Sequence, residues 1–114
     1  MSYREIIGWQ KGMDLVEDIY RLTENLPSAE KFGITQQMQR AAVAIPSNIA
    51  EGYGRSTRTD FARFVDIALG STRELQTQLE ICSRLGYGDT LELVDKGEEV
   101  AKILYGLSKS LKKG

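Results

Sequence analysis

The chain has 114 residues, which suits a single domain over 1–114. It carries 15 Lys and Arg against 16 Asp and Glu, and 41% of its residues are hydrophobic, which is an ordinary composition for a globular protein. It has no histidine and one cysteine, Cys82, which excludes His-based acid–base catalysis, His-ligated metal sites and an internal disulfide. We therefore expect no catalytic residue, no metal and no cofactor, and a function that comes from surface and assembly.

The N-terminal residues contain no signal-peptide core, because charged and amide side chains interrupt every apolar run. No apolar run approaches the roughly 18 residues that a membrane span needs. We expect a cytoplasmic protein without membrane contact.

A first helix is predicted before Pro27, because apolar residues recur there at helical spacing. The predicted inner face joins residues at steps of four, three and four: Trp9, Met13, Val16 and Tyr20. A flanking stripe widens that inner face: Leu15, Ile19, Leu22 and Leu26. Pro27 ends the helix, since the residue before a proline resists helical geometry.

A second helix is predicted from Thr35, a suitable N-cap, to the glycines at 52 and 54. Its inner face consists of small and aliphatic residues: Met38, Ala41, Ala42, Ile45 and Ile49. Pro46 lies inside this helix and removes one backbone hydrogen bond, so we expect a kink there. Gly52 and Gly54 are expected to end the helix through a left-handed turn.

Thr57 and Asp60 fit the capping-box pattern that opens a third helix. Its inner seam has heptad-like spacing: Phe61, Val65, Ala68, Thr72, Leu75, Leu79 and Cys82. A fourth helix is predicted after Asp89, and its seam runs to the C-terminal lysines: Leu93, Gly97, Val100, Leu104, Leu107 and Leu111. Four amphipathic helices with short connections predict an all-α, antiparallel up-and-down four-helix bundle.

Charge is distributed unevenly along such a bundle. Residues 1–10, 48–66 and 105–114 gather at one end, the basic pole, with seven Lys and Arg against four Asp and Glu, a net +3. Residues 20–35 and 80–98 gather at the other end, the acidic pole, with four against seven, a net −3. The basic pole is a candidate RNA or DNA contact through Arg55, Arg58, Arg63, Lys112 and Lys113. Alternatively, these side chains only solvate the surface and complement helix dipoles.

A polar patch is predicted around the second helix, where a proline, an amide and a carboxylate fall within two turns. Its members are Arg40, Asn48, Glu51 and Glu74. One interpretation is a hydrogen-bond network that fixes the kink, because polar groups beside a core need partners. The other interpretation is a surface that binds a protein partner. Gly70 and Ser71 on the third helix are expected to let the kinked helix approach closely.

Several of these motifs resemble one family, the four-helix bundle proteins encoded in intervening sequences of 23S ribosomal RNA. The residues that carry the resemblance cover nearly the whole chain: Trp9, Tyr20, Gln36, Arg40-Ala41-Ala42, the string from Ile45 to Gly52, Phe61, Phe64, Ala68, Gly70-Ser71 and Glu74-Leu75. The resemblance implies an up-and-down bundle that forms a ring-shaped homopentamer, with no known catalytic residue or cofactor. The chain is also similar to the accessory variability determinant of diversity-generating retroelements, whose pentamer binds nucleic acid and a reverse transcriptase. That protein is strongly basic, whereas this chain has a pI of about 5.5.

Two functions remain open at this point. One is a non-enzymatic, oligomeric module that binds RNA or DNA through the basic pole. The other is a scaffold or adaptor that binds a protein and makes no nucleic-acid contact. Apolar residues beside the predicted seams favour self-association in both cases, since a single copy is expected to leave some of them exposed: Ile6, Ile7, Phe64 and Leu69.

Overall fold

The computed structural model describes residues 1–113, which contain four α-helices, two short 3₁₀ turns at Tyr3–Glu5 and Ser28–Glu30, and no strand. The helices are α1 (Ile7–Thr23), α2 (Ile34–Tyr53), α3 (Arg58–Arg84) and α4 (Leu91–Lys112). Each helix packs against the next in the chain, and α4 returns to α1. The result is an up-and-down bundle of 47 × 20 × 19 Å, as predicted. Pro46 is buried inside α2, and the kink at this residue stays a prediction.

The starts of the last two helices follow from their capping residues. The Thr57 hydroxyl accepts the backbone N–H of Asp60 at 3.1 Å, which confirms the predicted cap of α3. Before α4, the Asp89 carboxylate accepts the backbone N–H of Leu91 at 3.0 Å. The start of α2 differs from the prediction, because the helix begins at Ile34 with Gly33 as N-cap and no side-chain cap.

Gly52 does not end α2 through a left-handed turn. The helix continues to Tyr53, and Gly54 has a right-handed φ of −79°. Gly52 is needed instead because α3 passes against it: a Cβ at this position would lie 2.6 Å from Cβ of Phe64 and 2.9 Å from Cδ1 of Phe61. Of the two small residues Gly70 and Ser71, Gly70 makes no close approach, since nothing lies within 4 Å of a Cβ built there.

Of the wide inner face predicted for α1, the flanking stripe is the part that is buried. Leu15 and Ile19 are buried, whereas Met13 and Tyr20 are 41% and 44% exposed. Glycine determines which side of α1 faces inward. Gly12 brings α1 so close to α2 that an added Cβ would lie 3.1 Å from Cγ2 of Ile45.

The predicted faces of the other helices line the core. Fully or nearly fully buried members are Met38, Ala41, Ala42, Ile45, Ile49, Val65, Ala68, Thr72, Leu75, Leu79, Cys82, Val100 and Leu104. Of the residues expected beside the seams, Ile7 is 59% exposed and Ile6 and Leu69 are partly buried. Phe64 packs against Gly52 and is only 7% exposed, so Ile7 is the member of this set that is left exposed.

Candidate nucleic-acid and partner-binding surfaces

The two poles consist of the chain segments that the sequence predicted. At the basic pole, the Arg58 guanidinium donates to the carbonyl of Ser110 at 2.9 Å and so joins the start of α3 to the end of α4. At the acidic pole, the Tyr87 hydroxyl donates to Glu30 at 2.7 Å and joins the two turns there. Opposite charges therefore lie at opposite ends of a rod 47 Å long.

Two of the predicted cationic residues are held against one aromatic ring. The guanidinium carbons of Arg55 and Arg63 each lie 4.6 Å from the ring centroid of Phe64. Arg55 also pairs with Glu51 at 3.1 Å, and Arg63 pairs with Asp60 at 3.0 Å. These contacts orient both guanidinium groups, but they also engage part of the charge that a phosphate would use.

Lys112 is likewise engaged within the pole. Its Nζ lies 2.8 Å from Oδ2 of Asp66, and the same carboxylate accepts the hydroxyl of Ser108. Partial burial of Asp66 acts to raise its pKa, but the hydrogen bonds from Lys112 and Ser108 outweigh it and the pKa is lowered. The ion pair joins α3 to α4 and keeps the C-terminal turn of α4 in place.

The remaining cations of the pole have no carboxylate partner within residues 1–113. These are Arg4, Arg58, Lys109 and Lys113. The predicted set contained Arg58 and Lys113 and missed Arg4 and Lys109. Their position near the chain ends was the available signal, since both ends of this topology meet at the same pole.

The four residues of the predicted polar patch do not form one network. The side-chain amide of Asn48 donates to the carbonyl of Ala44 in its own helix at 2.8 Å. Glu51 pairs with Arg55 at the basic pole. Arg40 and Glu74 line one shallow depression between α2 and α3, and neither has an ion-pair partner in the part of the chain that the structure describes.

An apolar groove runs along the outside of α1 and α2, and sequence reasoning assigned most of its α1 residues to the core. Two adjoining depressions form this α1/α2 groove, and both are lined by Val43 and Ser47. Its large side chains are Tyr3, Trp9, Met13, Val16, Tyr20 and Val43. Arg40 is the one charged residue that lines either depression. Aromatic residues, Met and Arg with few other charges are typical of protein interfaces.

The acidic pole combines charge with exposed apolar side chains. Phe32, Leu85 and Leu91 are 82%, 55% and 65% exposed. Several carboxylates of this pole lack a cationic partner among the described residues: Glu24, Glu30, Glu80, Asp89 and Asp95.

Residues 1–113 hold no group of three or more Cys, Asp or Glu side chains placed to bind a metal ion. Cys82 is buried with its Sγ 3.5 Å from Sδ of Met38, and burial, with Glu30 adding to it, raises the pKa of the thiol. None of the described helices is long and apolar enough to cross a bilayer.

Fold and surfaces together define an all-α four-helix bundle with oppositely charged poles and an uncovered apolar groove. The family model for the 23S rRNA-intervening sequence protein matches residues 4–110, so the chain belongs to that family, as its motifs indicated. It is similar to the crystal structure of a protein of unknown function from the S23 ribosomal protein family of Bacteroides thetaiotaomicron. The two are 25% identical with a TM-score of 0.83, and the match covers 90% of this chain and 96% of the other. No curated protein matches the chain.

Proposed function

We propose that this chain is a non-enzymatic, oligomeric binding module that engages RNA or DNA through its basic pole. The observation that supports this most is the group of cations without carboxylate partners at the pole, Arg58, Lys109 and Lys113, beside the end of α4. The sequence contains no histidine and one buried cysteine, which leaves few side chains for acid–base or nucleophilic chemistry at neutral pH.

Oligomerisation matters to this function because one pole is a weak site. A net charge of +3, with Arg55, Arg63 and Lys112 already in ion pairs, neutralises few phosphates. Copies arranged side by side with their basic poles together would add their fields and give a nucleic acid many contacts at once. The ring-shaped homopentamer implied by the family resemblance would place five basic poles together in this way.

Fluorescence anisotropy with labelled single-stranded RNA and duplex DNA tests the proposal across a salt series from about 50 to about 200 mM. We expect the logarithm of the affinity to fall linearly with the logarithm of the salt concentration, because binding releases condensed counterions. Arg58→Glu with Lys113→Glu should abolish binding. The matched control, Lys31→Glu with Arg84→Glu, makes the same charge change at the acidic pole and should leave binding measurable. Absence of binding by the wild-type chain at the lowest salt concentration would contradict the proposal.

The second candidate is a protein adaptor without nucleic-acid contact, and the acidic pole favours it. Exposed Phe32 and Leu91, beside carboxylates without partners, suit a basic, amphipathic protein segment. Affinity capture with the wild-type chain and with a Phe32→Ser, Leu91→Ser variant separates the two candidates. A partner captured by the wild type and lost with this variant, together with no RNA or DNA binding at low salt, favours the adaptor. Equal capture by both chains contradicts it.

A further inference from the structure

Two apolar surfaces on neighbouring sides of the bundle have no partner within the described residues. One is the α1/α2 groove. The other lies along the exterior of α3, on the side that faces α2, and we call it the α3 stripe: Ile67, Gly70, Glu74 and Ile81. The inference below concerns how these surfaces meet, and it rests on the proposed oligomerisation.

The α3 stripe has the shape and chemistry of a contact surface. Its members are three, four and seven residues apart, so they share one helix face. Ile67 and Ile81 are 43% and 42% exposed. Between them, exposed Gly70 has no side chain and no atom within 4 Å of a built Cβ, so a large side chain from another copy can approach the α3 backbone there. The α1/α2 groove offers such side chains, for example Met13 and Tyr20, each more than 40% exposed.

The charges of the two surfaces are complementary. Arg40 is the one charged residue lining the groove, and Glu74 is the one charged residue of the stripe. Neither makes an ion pair within residues 1–113. Both line the depression between α2 and α3, so they lie at the same height along the bundle. Two copies placed side by side with parallel axes therefore bring Arg40 of one to the level of Glu74 of the other.

The positions of the two surfaces determine what kind of assembly forms. The helices follow one another around the bundle, and its cross-section of 20 × 19 Å is nearly square. The α1/α2 and α2/α3 sides are therefore about 90° apart. A head-to-tail contact joins one surface of a copy to a different surface of the next copy. Such contacts close into a ring when the two surfaces of each copy face directions about 90° apart for four copies, or about 108° apart for five. An angle near 90° is compatible with the closed ring that the family resemblance implies.

We propose that the α1/α2 groove of each copy packs on the α3 stripe of the next copy around the ring, with an Arg40–Glu74 ion pair between copies. The α2 residues that line the groove run from Gln36 to Ala50, about 21 Å at ~1.5 Å per residue, so a surface two helices wide (about 20 Å) gives about 400 Å² on each side and about 800 Å² in total per contact. This is small for a specific interface, and a closed ring gives each copy two such contacts. Parallel axes place all basic poles on one end of the ring.

Charge reversal combined with light scattering after size exclusion tests this contact. We expect the wild-type chain to elute at a multiple of 12.8 kDa. Arg40→Glu alone and Glu74→Arg alone should each shift the mass to 12.8 kDa, because each places like charges in the interface. Matched reversals outside both surfaces, Lys102→Glu on α4 and Glu80→Arg on α3, should keep the wild-type mass. Far-ultraviolet circular dichroism verifies that every variant remains helical.

Mixing the two single variants distinguishes a contact between copies from one within a chain. Opposite charges then meet wherever the two variants alternate. At one interface, the introduced glutamate of the Arg40→Glu chain faces the introduced arginine of the Glu74→Arg chain. At the next interface, the unchanged Arg40 of the second chain faces the unchanged Glu74 of the first. Alternation is complete in a ring of four and leaves one like-charged contact in a ring of five, so the mixture should recover masses well above 12.8 kDa in both cases.

An intramolecular pair cannot be repaired by mixing, and a mixture that stays at 12.8 kDa after both variants dissociate would overturn the inference. Single variants that keep the wild-type mass would also overturn it while leaving the proposed oligomer intact. A wild-type chain that is itself monomeric would contradict the proposed function as well.

Discussion

Gly52 is the position where one added methyl group tests the packing of α2 on α3 most sharply. Alanine is normally better than glycine inside a helix by about 0.5–1 kcal/mol. At Gly52, however, the new Cβ would lie 2.6 Å from Cβ of Phe64. That atom is attached directly to the α3 backbone, so it moves only if the helix shifts, and overpacking of this kind costs about 1–3 kcal/mol. We expect Gly52→Ala to lower the free energy of unfolding by a net ~1–2 kcal/mol.

Gly106→Ala is the matched control, because Gly106 is also inside a helix but has no atom within 4 Å of a built Cβ. It should raise the free energy of unfolding by about 0.5–1 kcal/mol. Urea titrations followed by circular dichroism measure both variants, and the two midpoints should move in opposite directions relative to the wild type. A Gly52→Ala chain as stable as the Gly106→Ala chain would refute the close approach of α2 and α3.

Three further predictions concern ionisation, capping and burial. Asp66 and Glu98 have lowered pKa values: at Asp66 the effect of burial is outweighed by bonds from Lys112 and Ser108, and Glu98 accepts bonds from Arg73 and Gln76. A carboxylate whose pKa is lowered in the folded state stabilises the fold fully above its unfolded-state pKa of ~4, and this stabilisation is lost as the pH falls through the folded-state pKa. Asp66→Asn removes one such group, so the urea midpoint of this variant should fall less steeply with acidification than that of the wild type. Thr57→Ala should cost about 1 kcal/mol in the same titrations, whereas Thr57→Ser should cost much less because the cap oxygen remains. Cys82, buried and with a raised pKa, should not react with an aromatic disulfide reagent until denaturant is added, and rapid labelling of the native chain would contradict its position.

Local sequence signals predicted the helices well, because each signal has a local physical cause. Thr57 supplies a hydroxyl to the first turn of α3. The heptad seam from Val65 to Cys82 places every member on one face of a long helix, and all of them are buried. Net charge by segment also predicted the poles, since the up-and-down topology determines which segments share an end.

The errors arose where contact with another helix decides the outcome. Trp9, Met13, Val16 and Tyr20 have the right spacing for an inner face, but periodicity alone does not choose between two adjacent apolar stripes. Gly8 and Gly12 make that choice, because only glycine admits Leu104 and Ile45 so close to α1. Glycine adds no apolar signal to a stripe, so the sequence pattern understates its importance.

Within the candidate sites, the sequence indicated residue types but not their pairing. Arg55 and Arg63 were predicted as phosphate contacts, and both are stacked on Phe64 and paired with carboxylates. Arg40 and Glu74 were predicted in one patch with Asn48, whose amide bonds to its own helix instead. Which charges remain without partners depends on side chains of other helices, and that information exists only after folding.

The mass of the wild-type chain in solution tests the central claim most directly, because the proposed function needs several weak basic poles brought together in one assembly. Size exclusion coupled to light scattering at low and high protein concentration should give one species at four or five times the monomer mass. A homogeneous peak at 12.8 kDa across that range would contradict the account.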